Sequence, residues 1–535
     1  MAEVLLPPWI VPEEETQEWL DEGSSVFGAA FAPGIAQRQS YGGLRLKLSR
    51  RHTVRGEEKA QLLAILNQTR GRYNVLRTKV HFALRGAMPT TQHSPNNVMD
   101  GTTSWTSGSA AHMTVSATDR LLRASRLSTA SSTTLRNGSF TASAYMPYAY
   151  RVNFTGGKGI NTAHGPRFGS TAGAGDLVST VNLGGVVGLS NTTATGLVTA
   201  SGVLPAGTTF PNVLISASGA VAGDYAEFNY ASTTQVMQVD NGLNSLLQSD
   251  EFDTTWAVTR SSIDDQTAGT TAPDGTSTAD ALHEDATAAS THYVEQTGVV
   301  VASAAGDYAF ACALKAANRD WGSLSILEGI GSTELGADFD LANGVVGTTR
   351  AGANWTNVRS FIEPMGDGWF YCRVVGRKTN ASTVLTARVW VGEADNDRTF
   401  TGLNQDSIYL WRGTLVQSGV PTRLIQTTTT VSTGTSQTGN ALHVKGLPAS
   451  TNGLLLPGDY FEINGEIKQC TAPLNSDAAG LGYLQFEPAL VRSPANDDPV
   501  IVTDPMGKFL VSNIKIENEF GTQAVVTYDL EHIYE

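Results

Sequence analysis

LLQSDEFDTTW (246–256), TSTADALHED (276–285), AAGDYAFACALKA (304–316), ADFDLANGVVGT (337–348), GDGWFYCRVV (366–375) and IYLWRGTLVQSGVPTRLIQTTT (408–429) follow one another and read together as one β-sandwich module. In two of them apolar residues recur at every second position, as required of strands with one face in a core. Tyr308, Phe310, Cys312 and Leu314 form one such row, and Phe370, Cys372 and Val374 another. Asn-Gly, Asp-Gly and Pro signals separate the runs. Cys312 and Cys372 therefore read as buried core thiols. With Cys470 they make three cysteines without CxxC spacing, which fits neither a disulfide framework nor a zinc site.

The rest of the chain has the same texture. Only 16% of the 535 residues are charged and 55 are glycine, so three or four domains of all-β type are expected. A net charge of −14 argues against general nucleic-acid binding, which requires excess Lys and Arg. No run approaches the roughly 20 apolar residues of a membrane span. MAEVLLPPWIVPEEE (1–15) lacks a basic start and carries prolines in its apolar run, so no signal peptide is read and folding in a cytoplasm is expected.

Acids dominate the start (Glu3, Glu13, Glu14, Glu15, Glu18, Asp21, Glu22), whereas residues 38–85 carry twelve Lys or Arg against Glu57 and Glu58. Two readings stay open: pairing within the chain, or an acidic arm docked on a neighbouring copy. YGGLRLKLSRRHTV (41–54) reads as a strand and RYNVLRTKVHFAL (72–84) as another. GEEKAQLLAILNQTRG (56–71) between them reads as a helix with a stripe of Ala60, Leu63 and Leu66, Leu62 beside it. Beyond 430, ALHVKGLPASTNGLLLPGDYFEINGEIKQCTA (441–472) gives strands around a Pro-Gly-Asp turn and an Asn-Gly hairpin. NSDAAGLGYLQFEPALVRS (475–493), DPMGKFLVSN (504–513) and VVTYDLEHIYE (525–535) follow as further strands.

The six ordered motifs at 246–429 resemble the jelly-roll, carbohydrate-binding-like modules of bacteriophage tail and tail-fibre proteins. The strand–helix–strand unit ending TRGRYN resembles the ring-forming domain of siphophage distal tail proteins, and the series after 441 resembles the C-terminal half of tail-tip proteins. The resemblance implies a mainly β protein: a β-barrel-like assembly domain with one helix from residues 1–90 and 430–535, plus two inserted sandwiches at 95–243 and 246–428. NNVMDGTTSWTSGS (96–109) parallels LLQSDEFDTTWAVTRS (246–261), which supports a tandem pair.

It also implies a virion protein of the tail tip, assembled in the host cytoplasm. Such a protein forms a ring, a hexamer by resemblance, that joins the tail tube to hub or spike proteins and presents modules to a bacterial surface glycan. A trimeric receptor-binding fibre and a surface-polysaccharide depolymerase are the alternatives.

No enzyme is expected. Asp264, Asp265, Glu284, Asp285, Asp395 and Asp397 are candidate carboxylates, but nothing in their spacing marks a facing pair. His283 and His292 share no helical face or strand turn. No resident cofactor is expected; DNDR (395–398) and SIDDQ (262–266) read as solvated loops, with a structural calcium as the alternative. For sugar binding, the apolar row Leu385, Ala387, Val389, Val391 turns Trp390 outward beside Arg388, and Trp321 shares a face with Ser323 and Ser325. Trp321, Arg388 and Trp390 are the candidate glycan contacts, with packing under loops as the competing reading.

Overall fold

The computed structural model describes residues 2–6, 10–21, 44–69, 74–81, 84–92, 105–107, 113–118, 121–126, 133–143, 146–158, 165–169, 178–179, 196–204, 207–215, 225–265, 270–301, 306–328, 333–380, 382–420, 423–433, 437–518 and 523–533. The chain is mainly β, with one helix among the described residues, Gly56–Thr69.

Both chain ends build one six-stranded sheet. Its order is Ala2–Leu5, Asn74–Lys79, Met506–Asn518, Gln523–His532, Leu44–Arg55, Glu14–Asp21. Every neighbouring pair is antiparallel except the first. The helix lies on this sheet, with Glu57 and Glu58 in its first turn where the helix dipole favours acids. Its buried stripe is Leu62 and Leu66, with Leu63 and Ile65 on the flanks and Ala60 exposed. The stripe expected through Ala60 and Leu63 is thus rotated. Four large aliphatic residues span more than one face, and the sheet selects the pair four apart that reaches Leu46, Leu48 and Val526.

The acidic start docks within its own chain. Glu15 receives Arg50 Nε at 2.7 Å and Glu13 receives Thr53 Oγ1 at 2.6 Å. The strand Glu14–Asp21 pairs residue by residue with Leu44–Arg55. Glu22 lies outside the described residues.

A closed six-stranded barrel adjoins the sheet, formed by Met237–Val239, Gly439–Lys445, Gly482–Leu490, Glu466–Cys470, Tyr460–Ile463 and Pro499–Ile501. Asn464 and Gly465 make its tight hairpin at φ 50° and 83°, the left-handed pair that a two-residue turn demands. Residues 84–92 run along the barrel through Ala87 and Met88. A Cβ on Gly86 would lie 2.2 Å from the Leu454 carbonyl oxygen, so only glycine fits there. Met237–Val239, which the sequence reading put in the first module, pairs with two barrel strands.

The two insertions are β-sandwiches. In the first, a sheet centred on Met146–Lys158 and Tyr225–Gln235 faces one centred on Gly207–Ile215, around Tyr148, Tyr150, Phe168 and Phe228. Its expected opening motif at 96–104 lies outside the described residues. In the second, Ala257–Thr259, Tyr293–Val300, Val384–Gly392, Trp321–Glu328, Thr333–Asp340 and Val345–Ala351 form one sheet. Ser261–Asp264, Asp280–Glu284, Gln405–Val416, Gly306–Ala316, Trp369–Lys378 and Trp355–Gly366 form the other. The expected rows meet in its core. Cys312 stands directly opposite Cys372, both fully buried as free thiols, and burial raises both pKa values. No described helix is long and apolar enough to cross a membrane.

Candidate functional site

Trp321, Arg388 and Trp390 lie on the outer face of the second sandwich's first sheet. Leu385, Ala387, Val389 and Val391 point the other way, into the core. The cross-strand register sets Trp390 beside Ser323 and Tyr293, and Arg388 beside Ser325 and Glu295. The structure therefore brings the three residues together on one face.

That face is not an open platform. Trp390 is only 8% exposed. The Arg388 guanidinium carbon lies 4.5 Å from its ring centroid and that of Arg398 4.4 Å, while the Tyr293 ring centre is 4.6 Å away. Its Nε1 donates to Ser325 Oγ at 2.9 Å. Arg388 in turn donates to Glu295 through Nε at 2.7 Å. The strand's alternation points to an exposed Trp390 surface, but the ring is instead packed under a loop, the competing reading. Alternation tells which face a side chain takes, not which loop lies over that face.

The covering loop is 393–399. Asn396 N donates to Asp338 Oδ2 at 2.9 Å, and Arg398 forks onto Glu334 at 2.7 and 3.1 Å. Arg350 links Glu334 to Asp338. Burial alone would raise the Glu334 pKa. Hydrogen bonds from Arg398 and Ser325, with the Arg398 and Arg350 charges, outweigh it and hold the carboxyl at about 2. Asp395 accepts Thr348 N at 2.6 Å and Thr348 Oγ1 at 3.0 Å, and Asp397 accepts Thr399 N at 3.2 Å. Trp321, half-buried, is approached by the edge strand at Gly347, where a Cβ would stand 2.7 Å from its ring.

The other carboxylates separate by environment. Glu284 is buried against Arg319, and Asp285 is the neighbour of buried His292 at 3.7 Å. Two groups have metal-ligand proximity among the described residues: Asp264 with His283 and Asp406, and Glu251 with Asp253 and Asp265. In the second group burial first, then the neighbouring acids, raise the Glu251 pKa. Gln266 of the SIDDQ stretch lies outside the described residues.

A cavity of about 420 Å³ opens between the second sandwich and the barrel. Glu363, Tyr371, Trp411 and Arg412 line it from the sandwich, Arg423 from the segment that follows, and Asp477 from the barrel. Arg412 lies 4.0 Å over Trp411 and is held by Asp250 at 2.9 Å. The Glu363 pKa is raised by burial first and by Asp477 last, against the pull of Arg373. Trp411 is 4% exposed and donates to Thr278 Oγ1 at 3.0 Å, and it also lines the cavity. Aromatic edges beside a few polar groups suit a small polar ligand with an apolar face. No sequence signal joins Glu363 to Asp477, which come from different domains.

No protein-family model matches the chain, and no curated protein matches it. Among solved structures it is similar to the N-terminal CBM22-1–CBM22-2 tandem domain of Xyn10C from Paenibacillus barcinonensis. Identity is 11% and the TM-score 0.18, over 63% of this chain and 100% of that one. At that score the likeness carries no argument about function; the sandwich architecture rests on the strand pairings above.

Proposed function

We propose that this protein is a structural and adhesive component of a siphophage tail tip, in which a ring of copies joins tail tube to hub and presents the two sandwiches to a host-surface glycan. Support comes from one observation: strands near both chain ends interleave in a single sheet, and both sandwiches emerge between them. An insertion of that kind leaves the assembly domain whole while its loops carry recognition modules outward. The motifs at 41–84 and 441–535 that resemble tail-tip proteins supply the four inner strands of this sheet and most strands of the barrel.

The glycan is bound and not cleaved, and the cavity beside Trp411 and Tyr371 replaces the covered Trp390 face as the preferred seat. Copies in a ring convert a weak single site into useful avidity. Light scattering on the purified chain and symmetry-resolved imaging of the assembled particle test the ring. A hexamer supports it, and a trimer favours the fibre. Glycan-array retention abolished by Leu481→Trp, which fills the cavity, supports that seat. Release of reducing ends from host polysaccharide refutes the non-enzymatic reading.

A further inference from the structure

We propose that Asp264, His283 and Asp406 form a binding site for a divalent transition-metal cation on the second sandwich. The three residues come from adjacent strands, Ser261–Asp264, Asp280–Glu284 and Gln405–Val416. One ligand atom from each lies within 4.8 Å of the others. His283 Nδ1 and Asp406 Oδ1 are 3.0 Å apart. Ligands around a tetrahedral zinc ion sit about 3.3–3.5 Å from one another, given metal–ligand distances near 2.0–2.2 Å, so small side-chain rotations close the site.

The backbone is shaped to this juxtaposition. Leu282 pairs with Ile408, and a regular ladder would then set His283 opposite Ser407. A bulge between Leu282 and His283 moves the partner to Asp406. Bulges re-aim side chains in this way and gather beside functional sites. Ser407 instead turns inward to donate to Glu284 at 3.0 Å. The His283 strand pairs with Ser262, two positions from Asp264, so Asp264 lies diagonally on the same outer face. Asp406 is braced from behind, its carbonyl accepting Asn318 Nδ2 at 2.8 Å.

The donor set fixes the ion's class. Calcium and magnesium are hard ions that take oxygen ligands, whereas an imidazole nitrogen with two carboxylates suits zinc, cobalt or manganese. Two carboxylates and a neutral imidazole balance a double positive charge. Coordination would replace the imidazole–carboxylate hydrogen bond with bonds to one ion and pin the edge strand Ser261–Asp264 to the next two strands of the sheet. Water would fill the remaining positions.

Calorimetry and thermal unfolding of the full chain with ZnCl2 test this, with CoCl2 giving a visible ligand-field spectrum and CaCl2 as the comparison. The expected result is saturable zinc binding, a rise in melting temperature reversed by EDTA, and binding at least about tenfold weaker in both His283→Ala and Asp264→Asn. Asp264 is an exposed edge-strand residue, so the second variant keeps the fold if the first does not. No zinc binding by the native chain, unchanged binding in a folded variant, or calcium binding as tight as zinc each overturn the proposal.

Discussion

Glu462 accepts a hydrogen bond from Arg151 at 2.9 Å, and this buried pair fastens the first sandwich to the barrel. The other carboxylate oxygen of Glu462 receives Arg77 at 2.7 Å from the terminal sheet, and the same oxygen that binds Arg151 receives Met506 N at 2.8 Å. Arg151 also donates to the Asp504 carbonyl at 2.8 Å. One carboxylate therefore meets all three units.

Removing that charge should loosen the junction. Breaking one partner of a buried pair leaves its mate uncompensated and typically costs about 3–5 kcal/mol. Glu462→Gln should lower the unfolding free energy, read by denaturant titration, by an amount of that order and open protease sites between residues 143 and 236. Native-like stability would mean that the two arginines find other partners.

Trp390→Ala should destabilise the second sandwich by about 3 kcal/mol, in the range of buried large-to-small changes. The ring lies beneath two guanidinium groups and holds Ser325, so its loss also frees those groups. Differential scanning calorimetry reads the effect. An unchanged melting temperature would show the ring to be surface-like.

Acid should attack the terminal sheet in two stages. Burial first, then the Arg50 charge, lower the His52 pKa to about 4. A base with a depressed native pKa loses stability as pH falls from its ordinary 6.5 to that value, because only the unfolded state takes the proton. Burial opposes ionisation of Glu15, but hydrogen bonds from His81 and Gln17 and the charges of Arg50 and His81 bring its pKa to about 2. Its contribution is present above the ordinary 4.5 and is lost between there and 2. Each step amounts to about 3 kcal/mol. Hydrogen exchange at pH 7, 5 and 3 should show this sheet opening before the second sandwich, where Glu334 supplies only the lower stage. His52→Gln should remove the upper stage alone.

Deleting residues 1–21 should unfold the terminal sheet, not merely weaken association. The segment supplies both edge strands and buries Leu6 and Ile10, worth about 4 kcal/mol together. Circular dichroism and protease sensitivity of 44–79 would reveal it. A deletion variant that folds normally but fails to assemble would restore the docking of the acidic arm on a neighbour.

Alternation made the strands legible, because a half-buried strand must repeat every second residue; the Asn464–Gly465 turn and the helix were legible for equally local reasons. Met237–Val239 was not. Three residues are too short to carry a period, and their barrel partners lie some 200 and 260 positions downstream. For the site, the outward phase of Trp390 and the shared face with Arg388 were visible, whereas the covering by Arg398 depends on where a loop returns. The pairing of His283 with Asp406 was hidden for a related reason: a bulge breaks the register that sequence spacing assumes.

The interleaved sheet has a consequence for synthesis. Ser49 and its partner Asp529 are 480 positions apart, so the strand Leu44–Arg55 leaves the ribosome long before Gln523–His532 exists. At the usual 5–20 residues per second, that interval lasts roughly half a minute to a minute and a half. Both sandwiches, whose strands lie within 105–235 and 257–416, have every partner they need while the chain is still growing. The sheet that gathers the ends does not, and a chain halted between 416 and 523 carries both sandwiches on an unfinished base. Translation itself thereby acts as a proofreading clock: only a polypeptide read through to its last paired strands can close the sheet.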